Sequence, residues 1–526
     1  MDRQICFYRF LLIALCWQGI FNVPAFALIK KSQISGNWTN VNTWGGISPL
    51  PGDEVIISSG TTVNLNQVTA DILGGLTIEL GATLIITVNE SGLKVSGNIA
   101  NHGTLTTWIH QGLKGTLSLH GNSYWSGQGS WNLGAIHINE HNWEFDEGLV
   151  IRIADNISGS PGSSMNKNYR RTATIFHFNG SENAVLLADG SSYYYPSIIV
   201  DKPEFVDKLD QKKVSFLDSY SPNMVQILGE INILKVTDRL ALSPFNSLTV
   251  IRNLKGAGEL SGSDTSDLII DGSGDEINPV RMTGGTYFGS IRVLRPAGVA
   301  FENSFIVRDE LFIAEGSHVR LAKSRLTLGV NGANPTPGNL ICRGFLLGGV
   351  NGSLAIHGNG ALPVELKFAQ NNSAEYTIEN LDLNRMPGAG PVLMPINHSL
   401  VLVGALDIAA NNNLVLGNGK LYLNATITIN ASGYITGSEQ ASLYVQGHGG
   451  NATLRFNQTG SAANRTLQYF YLNRTPGRII TLGNMLNIKQ SVNVVSGKLD
   501  ANSNLTLLSS PSGSASIATI SSSATI

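Results

Sequence analysis

"LYVQGHGG" (443–450), "LAIHGNGA" (354–361) and "LIIDGSGD" (268–275) are one eight-residue phrase written three times, at intervals of 89 and 86 residues. A second landmark travels with it: "LNRMPG" (383–388) returns as "LNRTPG" (472–477), again 89 residues on. In both copies the proline follows the first glycine of the phrase by 29 residues, Gly358 to Pro387 and Gly447 to Pro476. A looser copy runs from "LIIDGSGD" to "VLRPAG" (293–298), and a fainter one from "FHFNGSEN" (176–183) to "VDKPEF" (200–205). Four repeat units therefore begin near residues 174, 266, 352 and 441.

Inside a unit, strand-like runs of four to six residues alternate with Gly, Asn or Ser turns every 8 to 12 residues, as in "HSLVLVGALDIAANNNLVLGNGKLYL" (398–423), and two-residue alternation recurs along the chain, as in "GLTIEL" (75–80). Two-residue alternation is the signature of a strand with one buried face, and no run of a dozen residues has a helical period. Propeller blades are shorter, at about 40 to 50 residues, and carry stronger aromatic signatures. A tandem β-sandwich array needs about seven strands and its own core in each block, and is the alternative fold. The reading favoured is all-β, a parallel β-helix, in which inward residues of one coil stack on those of the next and Asn or Gly turns the corners. Each repeat then holds about four coils on the order of 22 residues each.

The first residues are a different matter. Arg3 and Arg9, the apolar run "FLLIALCWQGI" (10–20) and "AFA" (25–27) have the form of a signal peptide cut after Ala27. No later stretch approaches the ~18 uninterrupted apolar residues of a membrane span, so a secreted, extracellular or outer-surface protein with no membrane span after signal cleavage is expected. Cys6 and Cys16 leave with the signal, and Cys342 alone cannot form an intramolecular disulfide. A charged fraction of 14% and a net charge of −2 argue against nucleic acid, which needs a basic footprint.

Residues 36–66, "GNWTNVNTWGGISPLPGDEVIISSGTTVNLN", differ in texture from the repeats. Trp38, Trp44, Pro49, Gly52, Asp53, Ile56, Gly60 and Val63 give a pattern that resembles the opening of large secreted surface proteins of Bacteroidota-type bacteria and is similar to the start of the G8 domain. The resemblance implies an extracellular β-rich module followed by right-handed parallel β-helix repeats, and says little about activity. The domains expected are a signal peptide (1–27), a G8-like Trp-rich N-terminal β region (28–145), a divergent first β-helix unit (146–265) and repeats at 266–351, 352–440 and 441–526, the last truncated.

All six tryptophans of the mature chain lie between Trp38 and Trp143. Trp38 and Trp44 suit a cap over the first coil. Trp125, Trp131 and Trp143, with His137, His141 and Glu144, make either a glycan-binding surface, in which indole faces meet sugar C–H faces, or ordinary core. His137, His141 and Glu144 are weighed as zinc ligands and set aside, because four residues of extended chain hold two histidines roughly 13 Å apart. The densest acidic stretch, "DTSDLIIDGSGDE" (264–276), makes Asp271 and Asp275 a calcium candidate on a Gly-rich loop, against a reading as solvated turn acids. His357 and Gln446 replace Asp271 in the later repeats, so the acids belong to one unit.

No catalytic residues are assigned, since Glu144, Asp146 and Glu147 are carboxylates without a compact motif beside them. The expected function is a non-catalytic, adhesive β-helix binding an extracellular polysaccharide or a surface protein. A polysaccharide lyase or glycoside hydrolase on the same scaffold is one alternative, and a structural spacer is another.

Overall fold

The computed structural model describes residues 27–526 apart from 68, 87–91, 110–112, 140–141, 160–163, 166–172, 182, 187–191, 204–212, 217–222, 511–512 and 519. The expected signal peptide, His110 and His141 lie outside the described residues, apart from Ala27. The chain divides into two compact units, residues 1–166 and 167–526.

In the first unit three sheets of short strands run side by side. One contains Glu54–Ile57, Gly75–Ile78, Ile99–Asn101, Ser123–Ser126 and Asn142–Phe145. The second contains Thr62–Leu65, Thr83–Ile86, Thr104–Thr106, Ser130–Leu133 and Val150–Ile153, and the third Gly92–Val95, Thr116–Leu119, Ala135–Ile138 and Ile157–Gly159. The chain visits the three sheets in turn and pairs each strand in parallel with its counterpart one coil later. Glu54 pairs with Gly75 and Leu76 with Ile99, offsets of 21 and 23 residues. Antiparallel pairing in this unit is confined, among the described residues, to the hairpin Trp108–Ile109 with Leu113–Lys114. This is a parallel β-solenoid, as the two-residue alternation predicts: Val55, Ile57, Leu76, Ile78 and Ile99 point inward and are buried, while the residues between them face out. A sandwich array is overturned, because its sheets would pair antiparallel within each block.

The second unit starts on the same plan and then changes. From Thr286 onward the strands lengthen, to eight residues in Thr286–Val293, nine in Phe305–Ile313 and ten in Ser399–Ile408. Each long strand bends at a corner. The first half of Phe305–Ile313 pairs with Arg325–Leu328 and the second half with Asn339–Cys342. A register shift between Phe288 and Ser290 marks the same corner one coil earlier. No described helix is long and apolar enough to cross a membrane.

The repeated phrase has a physical explanation in this unit. The arginine of each Pro-Gly landmark, Arg295, Arg385 or Arg474, is buried, at 0%, 4% and 1% exposure, and among the described residues none of the three closes an ion pair, Asp271 acting on Arg295 only through space. Each guanidinium instead donates to backbone carbonyls. Arg295 reaches Ile251 O (2.7 Å), Arg252 O (2.6 Å) and Asp275 O (3.2 Å); Arg385 reaches Gly360 O (2.6 Å), Gly390 O (2.5 Å) and Leu362 O (3.2 Å); Arg474 reaches Ala425 O (2.6 Å). The glycine phrase is the wall of that cage. A Cβ on Gly360 or Gly449 would collide with the guanidinium of Arg385 or Arg474. In the faint first copy Lys202 stands at the equivalent place and is 1% exposed. Burial disfavours the charged form, lowering Arg295 and Arg385 and bringing Arg474 down to about 10.

Candidate functional site

Strand alternation sorts the Trp-rich segment into two faces. In Ser123–Ser126 the pattern places Ser123 and Trp125 inward and Tyr124 and Ser126 outward; in Asn142–Phe145 it places Trp143 and Phe145 inward and Asn142 and Glu144 outward. Trp125 and Trp143 are 0% exposed and Trp131 is 1% exposed. Trp125 stacks on Trp131 with ring centroids 4.9 Å apart at 6°, and Trp143 lies 4.8 Å from Trp125. Two of the indole N–H groups are used inside as well, Trp125 Nε1 donating to Ser123 Oγ (3.1 Å) and Trp131 Nε1 to Gly127 O (3.4 Å). The expectation that these three rings offer faces to a sugar is therefore corrected. They are core, and their bulk fills the coil interior.

Trp38 and Trp44 are also buried, edge to face at 5.0 Å, with Trp44 Nε1 donating to Trp38 O (2.8 Å) beside the short helix Val41–Trp44. This packing is what a cap on the first coil requires.

A groove of about 240 Å³ lies on the outer face, directly over the Trp core, lined by Asn98, Asn122, Ser123, Tyr124, Asn142 and Glu144. Pairing register builds it. Tyr124 pairs with Glu144 on the next coil, so ring and carboxylate stand side by side. The asparagines sit at the coil corners, where Asn98 Oδ1 accepts from Tyr124 N (3.1 Å) and Asn122 Oδ1 accepts from Asn142 N (3.0 Å). Those bonds use the carbonyl ends of the two amides, and among the described residues their NH₂ ends bond no acceptor, which leaves donors for a ligand. The Tyr124 hydroxyl donates to Asp146 Oδ1, which fixes the ring. Ser123, on the groove floor, donates to Gly97 O (2.8 Å).

Of the described residues singled out in the sequence, only Glu144 lines this groove. His137 is on the third sheet, bonded through Nδ1 to Ser158 Oγ (3.0 Å), and so faces away from Glu144. His141 lies outside the described residues. Tyr124, Asn98 and Asn122 were missed, although the asparagine spacing of one coil and the position of Tyr124 between two inward residues carry the signal.

The acidic stretch 264–276 is dispersed by pairing. Asp264 meets Arg308 Nη1 (2.7 Å), and Glu276 meets both His318 Nε2 (2.8 Å) and Arg320 Nε (2.9 Å). Asp271 Oδ1 accepts from the neighbouring Gly272 N (2.7 Å), while Asp275 is exposed and lends its backbone carbonyl to Arg295. Among the described residues no group of three or more His, Cys, Asp or Glu is placed to hold a metal ion.

Comparison with known proteins finds no matching family model, no significantly similar curated protein and no significantly similar solved structure.

Proposed function

We propose that this is a secreted cell-surface β-helix protein that binds extracellular polysaccharide through the groove at Tyr124 and Glu144. The observation that carries the reading is the in-register pair of an outward tyrosine and an outward carboxylate, flanked by the amide donors of Asn98 and Asn122. A sugar presents a C–H face and a rim of hydroxyls; the Tyr124 ring meets the first, and carboxylate acceptors with amide donors meet the second. The leader-like residues 1–27 and the resemblance of residues 36–66 to Bacteroidota-type surface proteins and the G8 domain support export.

Glu144 and Asp146 give a hydrolytic reading its one foothold, since two carboxylates flank the same ring. A glycan array separates the two. Binding without release of reducing ends, lost in Tyr124→Ala, supports the adhesive reading; sugar release abolished by Glu144→Gln replaces it with the hydrolytic one.

A further inference from the structure

We infer that the second unit carries a separate site for acidic polysaccharide, built on Arg292, Phe312 and Arg343. Pairing register lines up Ile269, Arg292, Phe312 and Ile341 as one outward column over four successive coils. Arg292 lies over the Phe312 ring, its Cζ 5.2 Å from the centroid. Arg343, two residues past Ile341, lies over the same ring at 5.8 Å. The arrangement continues along the next corner, where Lys367 Nζ donates to Arg343 O (2.8 Å) and stands 4.9 Å from the centroid of Phe345, a ring that is 40% exposed. Three cations and two aromatic rings thus form one continuous outer strip.

The neighbouring arginines set this strip apart. Arg281, Arg308, Arg320 and Arg325 are each paired with a carboxylate, from Glu302, Asp264, Glu276 and Asp382 respectively. Among the described residues, Arg292 and Arg343 form no such ion pair. Asp267, on the preceding coil, accepts from the Ser290 N–H (2.9 Å) and attracts Arg292 without closing an ion pair with it. A guanidinium held over the Phe312 ring satisfies none of its N–H donors there, and those donors suit a carboxylate or sulfate. Two guanidinium groups over one ring, with Phe345 beyond, suit a chain that bears acidic groups at intervals and apolar sugar faces between them. Nucleic acid needs a broader basic field than a protein of net charge −2 provides.

The test is affinity electrophoresis of the full chain through gels containing polygalacturonate, dextran sulfate or neutral dextran. The wild type should be retarded by at least one acidic polymer over dextran, and less so as salt rises. Retardation by polygalacturonate alone assigns carboxylate, and by dextran sulfate alone assigns sulfate. Arg292→Gln with Arg343→Gln should lower the affinity at least about tenfold, the loss expected when a charge-assisted contact is removed. Arg343→Lys, which keeps the charge but not the fork, should fall between. Arg325→Gln should match the wild type, and so should Tyr124→Ala, so that failure of the groove reading leaves this one standing. Equal mobility of the wild type in acidic and neutral gels, or full retardation of the double variant, overturns the proposal.

Discussion

Gly449 and Arg474 share one space. A Cβ built on Gly449 would stand well inside 3.0 Å of the Arg474 guanidinium, and also of the Ala425 carbonyl that this guanidinium bonds. The recurring glycine and the recurring arginine are therefore two halves of a single device, and the three repeats that carry the arginine keep both because a side chain at the glycine would displace the guanidinium.

Gly449→Ala should destabilise the protein by about 2 kcal/mol, the usual cost of forcing extra volume into a packed interior. Gly450 is the internal control, since a Cβ there meets nothing within 4 Å and its φ is not positive. Gly450→Ala should change stability by less than about 0.5 kcal/mol, or raise it slightly by narrowing the unfolded ensemble. Urea unfolding of the two variants side by side reads the difference.

Arg385 satisfies three carbonyls, those of Gly360, Leu362 and Gly390. Replacing it with Met strands them, at about 3 kcal/mol after the relief of no longer burying a charge. Lys fills the equivalent place at Lys202, so Arg385→Lys should lie between wild type and Arg385→Met. An order with Met above Lys in thermal unfolding would remove the carbonyl cage as the reason for the repeat.

Burial works to raise the Glu276 carboxyl, but its bonds to His318 and Arg320 prevail and hold it below its ordinary value of 4.5. A depressed carboxylate contributes stability above its unfolded pKa and loses it as pH falls through the folded value. The stability gap between wild type and Glu276→Gln should thus be full near pH 6 and shrink steadily below about 4.5. A gap that stays constant from pH 6 to 3 contradicts the assignment.

The solenoid was legible because inward and outward residues alternate in segments such as "GLTIEL" (75–80), and because the 89-residue recurrence keeps equivalent corners in phase. The same alternation, applied to "SYWSGQGSW" (123–131), already assigns Trp125 to the inside and Tyr124 to the outside. Residue type kept a second reading open beside the core one, since exposed tryptophan suits sugars. The carbonyl cages were not legible. They depend on backbone carbonyls that converge from positions 5 to 49 residues from the arginine, and no local pattern marks a carbonyl as an acceptor.

Tyr124 and Trp125 are chain neighbours on opposite faces of one strand, and comparing them tests the functional account most directly. Tyr124→Ala should abolish glycan binding while leaving thermal unfolding near that of the wild type. Trp125→Ala should cost about 4 kcal/mol of stability, as expected for emptying a buried aromatic site. Trp125→Phe, which keeps much of that volume, should lose less and still bind. Undiminished glycan binding by Tyr124→Ala, or loss of binding in a well-folded Trp125→Phe protein, would contradict the placement of the contact surface on the outer face.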